Sequence, residues 1–209
     1  MAGWTPVCGC CKGSGDMRLE ILDRGHRLPS RLFQRLAALV FRHRVEDVIR
    51  TATHRPEFWG RPMLALCAEV LRGPSYWTAG EREYLAVFTS RLNQCPFCVA
   101  VHSETTRLES RGEVTLDGTM RPELAAVLPL LEKVSRTPDD LTAADVETVR
   151  VAGVPDDAIV DALYVNMIFN VVNRMGNAFG WRWDSEEHTK SGARAIHLFR
   201  YKLPGIVMR

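Results

Sequence analysis

"TAGEREYLAVFTSRLNQCPFCVAVHSE", residues 78–104, is the stretch that decides the fold. Its two cysteines, Cys95 and Cys98, are three apart. That spacing serves redox dithiols, half of a zinc site and ordinary cores alike. The residues in front of the pair separate these uses. "CPFC" looks like the dithiol of glutaredoxin-type proteins, which lies between a strand and a helix near the start of a βαβ unit. Here Leu85, Phe88 and Leu92 recur at helical spacing instead, and no β unit flanks the pair. Thr78, with Glu81 three residues on, is a capping-box signature for the start of that helix. The glutaredoxin-type fold is rejected.

Outward from this stretch almost everything reads as helix. Apolar residues recur at helical spacing in 17–27, 30–43, 45–53, 62–72, 79–93, 122–135, 143–152 and 156–176. Ser30, and Thr142 with Asp145, are further N-cap signals, and most prolines and glycines fall at or between the segments. "GEVTLDG" (112–118) is the one short stretch that reads as extended. The expectation is an all-α protein, a single compact helical domain over 16–209. Residues 1–15, with the glycine-rich "VCGCCKGSG" (7–15), read as a flexible tail carrying Cys8, Cys10 and Cys11.

Composition narrows the function classes. Of the 209 residues, 46% are hydrophobic and 25% charged, with a net charge of +2, which argues for neither nucleic acid nor a membrane as partner. "RLFQRLAALVFRHR" (31–44) is an amphipathic segment, read as a surface helix with a core-facing stripe rather than a membrane-lying one. No apolar run is long enough to span a bilayer, and no secretory leader pattern opens the chain. A reducing compartment, the cytoplasm, is the expectation, and thiols there are catalytic or metal-binding more often than structural. Cys67, inside "RPMLALCAEVLRG", reads as a small core hydrophobe. Zinc would need four N or S ligands, and only His102 stands near the pair; completion by Cys8, Cys10 or Cys11 has no support in the sequence.

A helix that begins at Cys95 makes better use of the pair. Pro96 then takes the first helical position, where its missing N–H is no loss. Both cysteines fall in the first turn, where free N–H groups and the helix dipole favour a thiolate. His102, four residues after Cys98, lies one turn along on the same face. Imidazole beside a thiol is the arrangement that activates a cysteine nucleophile, so Cys98 is the candidate activated sulfur, with Cys95 free to close a disulfide onto it. The helix over 79–93 returns beside it, bringing Glu81 and Glu83 near the level of His102. Glu81 has its capping role, which leaves Glu83 as the candidate orienting group.

At these residues the chain resembles the alkyl hydroperoxidase D-like, or carboxymuconolactone decarboxylase-like, superfamily. The redox members carry a glutamate, eleven intervening residues, then C-x-x-C-x-x-x-H, and Glu83, Cys95, Cys98 and His102 match every spacing. The flanks 61–104 and 141–180 are similar to the family's active-site and C-terminal helices. The resemblance implies a helical bundle of that type and a thiol-dependent peroxidase. The second cysteine, here Cys98, attacks the hydroperoxide; Cys95 closes the disulfide; His102 and Glu83 relay protons. It further implies a dithiol reductant, lipoamide-type or thioredoxin-like, a homotrimer or hexamer, and no metal or organic cofactor. One position departs: Phe97 stands where members can carry histidine or tyrosine, and a phenyl ring cannot relay a proton. The same dithiol also fits an oxidoreductase or redox sensor without peroxide turnover.

One feature stands apart from the motif. Asn166, Asn170, Asn173 and Asn177 form a single stripe on an otherwise apolar helix, suited to a cleft or to hydrogen bonds across a helix or subunit contact.

Overall fold

The computed structural model describes residues 16–202, and every regular element among them is helical. The chain runs through α1 (Ile21–Arg24), α2 (Leu28–Phe41) and α3 (Asp47–His54), then a π-helical turn, Pro56–Gly60, into α4 (Arg61–Arg72). α5 (Ala79–Leu92), α6 (Pro96–Ser110) and α7 (Pro122–Arg136) follow. A 3-10 turn, Pro138–Asp140, leads to α8 (Ala143–Val151), the long α9 (Asp156–Phe179) and α10 (Glu186–Phe199). The all-α expectation holds. The tail with Cys8, Cys10 and Cys11 lies outside the described residues. "GEVTLDG" is a turn, with Thr115 N–H donating to the Thr119 carbonyl at 2.9 Å, and no strand forms among the described residues.

Local chemistry explains most helix ends. Thr78 with Glu81 and Thr142 with Asp145 both close capping boxes. Ser30 does not cap. α2 starts two residues earlier, because Pro29 is tolerated in a first turn, and the buried Ser30 hydroxyl donates instead to the Thr53 carbonyl at 3.0 Å. Gly180, at φ 74°, supplies the left-handed cap that ends α9.

Two elements differ from the sequence reading. Leu28, Leu32, Leu36, Leu39 and Val40 of α2 are exposed, and Ser30 is its single fully buried residue. The leucine stripe therefore faces away from the core, while Phe33 and Ala37 on the other side line a cavity. The second difference is α10, which apolar periodicity misses in "EEHTKSGARAIHLF"; Ser185 caps it by accepting from His188 N–H.

α5 and α6 form the most extensive helix pair. They are antiparallel: a Cβ added at Gly80 in the first turn of α5 would lie 2.5 Å from Ser110 Cα in the last turn of α6. Only Asn93–Cys95 joins them, with Gln94 at φ 52°. Arg82, nearly buried, donates to the Val70 and Gly73 carbonyls at 2.9 Å and so ties α5 to the end of α4. Trp77, Leu71, Leu85, Leu124, Leu131 and Ile168 are fully buried around this pair. Each contributes ~1.5–3 kcal/mol by leaving water. Among the described residues, no helix is long and apolar enough to cross a membrane.

Candidate active site

The antiparallel pairing carries Glu83 of α5 to His102 of α6. Glu83 Oε2 stands 2.7 Å from His102 Nδ1, and the carboxylate is wholly buried. Its other oxygen, Oε1, accepts from Arg72 Nη2 at 2.6 Å and from the Tyr201 hydroxyl at 2.7 Å. Burial would push this carboxyl up, but His102, Arg72 and Tyr201 together outweigh it and hold Glu83 below the ordinary carboxylate range. With Nδ1–H donated to the carboxylate, the ring keeps Nε2 as its basic nitrogen. The ring is steadied edge-on by Phe169, 4.7 Å between centroids.

Cys95 is the N-cap of α6 and Cys98 sits within its first turn; both are reduced and almost fully buried. Cys98 acts on Cys95 as a side-chain donor, and the two thiols shift in opposite directions. That donor, joined by the Cys98 and Phe97 backbone N–H groups and the Asn173 amide, outweighs burial and lowers the Cys95 thiol. Cys98 is pushed well up, by its bond to Cys95, by burial and by the Cys95 charge. Thus the N-terminal donors of the helix converge on Cys95, whereas the spacing alone pointed to Cys98 as the activated sulfur. Position favours Cys98 in another way, because it is the cysteine of the pair that lines the cavity.

The cavity has a volume of about 220 Å³ and is bounded by α2, α3, α4, α6, α9 and α10. Cys98 and His102 line it together, in walls that are mainly aromatic and aliphatic. Phe97 is part of that wall: its ring stacks on Trp183 at 4.4 Å, and its carbonyl accepts from Trp183 Nε1 at 2.9 Å. It holds the wall and has no proton to give. Cys67 also lines the cavity, but burial and nearby Glu83 push its thiol up to about 12, in keeping with a core role. Among the described residues no three His, Cys, Asp or Glu side chains gather as a metal site.

The asparagine stripe turns inward. Asn166 donates to Thr89 Oγ1 at 3.1 Å and Ser135 Oγ at 2.8 Å, and Asn177 donates to the Asn93 carbonyl at 2.9 Å. Asn173 donates to Ser90 Oγ at 3.0 Å, accepts from Asn93 at 3.1 Å, and acts to lower both thiols of the pair. Its four members bond across helices within this chain, fixing α9 against α5 and the turn that delivers Cys95. α9 also comes close there: a Cβ at Gly176 would meet Trp181 at 2.8 Å and Cys95 Sγ at 3.3 Å.

Of the four residues matched by spacing, Glu83 and His102 are hydrogen-bonded between α5 and α6, Cys98 shares the cavity lining with His102, and Cys95 is the N-cap of the same helix. Arg72 and Tyr201, which grip Glu83, had no signal in the sequence, since each contact depends on where a distant helix ends. Asn173 had one, its place in the stripe.

No protein-family model matches the chain, and no curated protein matches it. Solved structures do. An uncharacterized peroxidase-related protein from Silicibacter sp. TM1040 superposes with a TM-score of 0.71 at 21% identity, covering 88% of this chain and 100% of that one. An alkylhydroperoxidase AhpD core, an uncharacterized peroxidase-related protein from Ralstonia eutropha JMP134, superposes with a TM-score of 0.69 at 25% identity, covering 86% of this chain and 98% of that one. The chain has the alkyl hydroperoxidase D-like helical fold.

Proposed function

We propose that this protein is a thiol-dependent peroxidase that reduces organic hydroperoxides through a Cys95–Cys98 dithiol–disulfide cycle. One observation carries the reading. Cys98 and His102 line one apolar cavity, and Glu83, 2.7 Å from His102 Nδ1, leaves the other ring nitrogen as a base. The family resemblance and the peroxidase-related neighbours support it.

In the first step the Cys98 sulfur, its proton passed to His102, attacks the terminal oxygen of the hydroperoxide. An S–O bond forms and the O–O bond breaks. The departing alkoxide takes a proton from His102 and leaves as the alcohol, and Cys98 is now a sulfenic acid. Cys95, the sulfur richest in donors, then attacks Cys98. The S–S bond forms, the S–O bond breaks, and hydroxide takes a proton to leave as water. Two thiols and one hydroperoxide have become a disulfide, an alcohol and water. A dithiol reductant of lipoamide or thioredoxin type restores the thiols by exchange. A homotrimer or hexamer belongs to the same proposal; the exposed apolar row Val160, Tyr164, Met167 and Val171 on α9 suits association of copies.

Phe97 favours a second reading, a dithiol–disulfide oxidoreductase without peroxide turnover, because no protic side chain stands between the cysteines. Rapid mixing of the reduced protein with cumene hydroperoxide separates the two. The peroxidase reading expects loss of two thiols per chain as a Cys95–Cys98 disulfide, abolished in Cys98→Ser, and turnover with dihydrolipoamide. Thiols that react no faster than free cysteine sink it, and disulfide exchange with a dithiol would then support the oxidoreductase.

A further inference from the structure

Arg72 and Tyr201 are unexpected members of the site. Neither belongs to the motif, and they come from distant parts of the chain, Arg72 from the last turn of α4 and Tyr201 from the segment after α10. Both converge on a single atom, Glu83 Oε1, at 2.6 Å and 2.7 Å, leaving Oε2 for His102. The two also hold each other. The Arg72 guanidinium lies over the Tyr201 ring at 5.0 Å, and Arg72 O accepts from Arg200 Nη2 at 3.2 Å.

The backbone that delivers Tyr201 is strained. Arg200 and Tyr201 are successive non-glycine residues in the left-handed region, at φ 50° and 65°. Left-handed geometry is unfavourable for any residue with a Cβ and persists where surrounding contacts over-determine it. Here the contact is to a fully buried carboxylate, and burial together with the Glu83 charge keeps Tyr201 a phenol, able to donate. Arg72, which also pairs with Glu109 at 3.2 Å, supplies Glu83 with a cation beside His102. Tyr201 lines the cavity as well, so one ring joins the substrate-facing wall to the carboxylate behind His102.

We infer that Arg72 and Tyr201 are positioning residues: they immobilise Glu83 through Oε1 so that Oε2 holds His102 in the Nδ1–H tautomer with Nε2 free to act on Cys98. A carboxylate held by His102 alone could rotate and offer either oxygen. Held on three sides it cannot, and the ring it orients loses the same freedom.

The rate arm of the test rests on the peroxidase reading; the spectroscopic arm does not. The reduced full-length protein, labelled with 15N-histidine, is compared with Tyr201→Phe, which keeps the ring in the cavity wall and removes only the hydroxyl. Wild type is expected to show His102 as one tautomer, protonated at Nδ1. Tyr201→Phe is expected to show a mixture of tautomers and about a ten-fold lower rate of hydroperoxide-dependent thiol loss, with affinity for the hydroperoxide little changed. Arg72→Lys, which keeps the cation and loses the fork, is the second variant and should loosen the tautomer as well. An unchanged His102 signal in a folded Tyr201→Phe protein overturns the inference. If wild type does not react with hydroperoxide at all, the function proposed above fails, and the tautomer comparison still decides this one.

Discussion

α5 and α2 are both fourteen-residue helices, and they use their side chains in opposite ways. α5 buries Glu81, Arg82, Glu83, Thr89 and Ser90 along with its apolar residues. α2 leaves Leu28, Leu32, Leu36 and Leu39 in the open. The difference shows that partners, more than hydropathy, decide what this chain puts inside. Each charged side chain buried on α5 meets named opposite charges or carbonyls: Glu81 the Thr78 N–H and Arg121, Arg82 two carbonyls of the α4 end, Glu83 its three donors. A buried charge so satisfied is tolerated, whereas one left alone is not. No element of the described chain covers the leucine side of α2.

The largest test of this contrast is Glu83→Gln. It leaves the buried Arg72 with Glu109, at 3.2 Å, as its remaining carboxylate, and should cost about 3 kcal/mol of unfolding free energy by denaturant titration, the low end for a broken buried pair. It should also change the pH profile. Folding depresses the Glu83 carboxyl, so its contribution is fully present above the unfolded-state value near ~4.3 and is lost as pH falls through the lower folded value. Wild type is therefore expected to lose stability below about pH 4, and that part of the slope should vanish in Glu83→Gln. A loss under ~1 kcal/mol would mean that the buried network is not what holds α5 in place.

Gly80→Ala probes the same pairing without charge. The new methyl would lie 2.5 Å from Ser110 Cα and 2.7 Å from Ser110 N, backbone that cannot turn aside. About 1–3 kcal/mol of destabilisation is expected, together with a looser Glu83–His102 contact. A neutral result would show that α5 and α6 can slide apart without loss. The smallest effect belongs to α2: Leu32→Ser with Leu36→Ser should shift monomer stability by no more than about 0.5 kcal/mol. A greater loss that grows with protein concentration would show that a second copy covers the stripe, and the contrast would then belong to the monomer alone.

Much of the site was legible in the chain. Cys95, Pro96, Cys98 and His102 lie within two helical turns, and regular helical geometry alone places them together. Glu83 was reachable too, because a three-residue connection forces α5 back along α6. The signal faded where contact depended on a distant chain end. Nothing around Arg72 distinguishes it from an ordinary surface arginine at a helix terminus, and Tyr201 follows a helix whose sparse apolar pattern hid it. The sulfur assignment divided for a related reason. The first turn of a helix favours a thiolate, but which thiol collects the donors depends on Asn173 and on Cys98 acting as a donor.

The sequence by itself determined the helical class, the antiparallel pairing of α5 with α6 and the four candidate residues in the motif, because helical periodicity, capping chemistry and a short connection are local. Only the tertiary structure decided that the asparagines bond inward, that the α2 leucines face out and that Glu83 is gripped by Arg72 and Tyr201. Each of those outcomes turns on which polar atoms find partners across the fold, and those partners come from segments far apart in the chain.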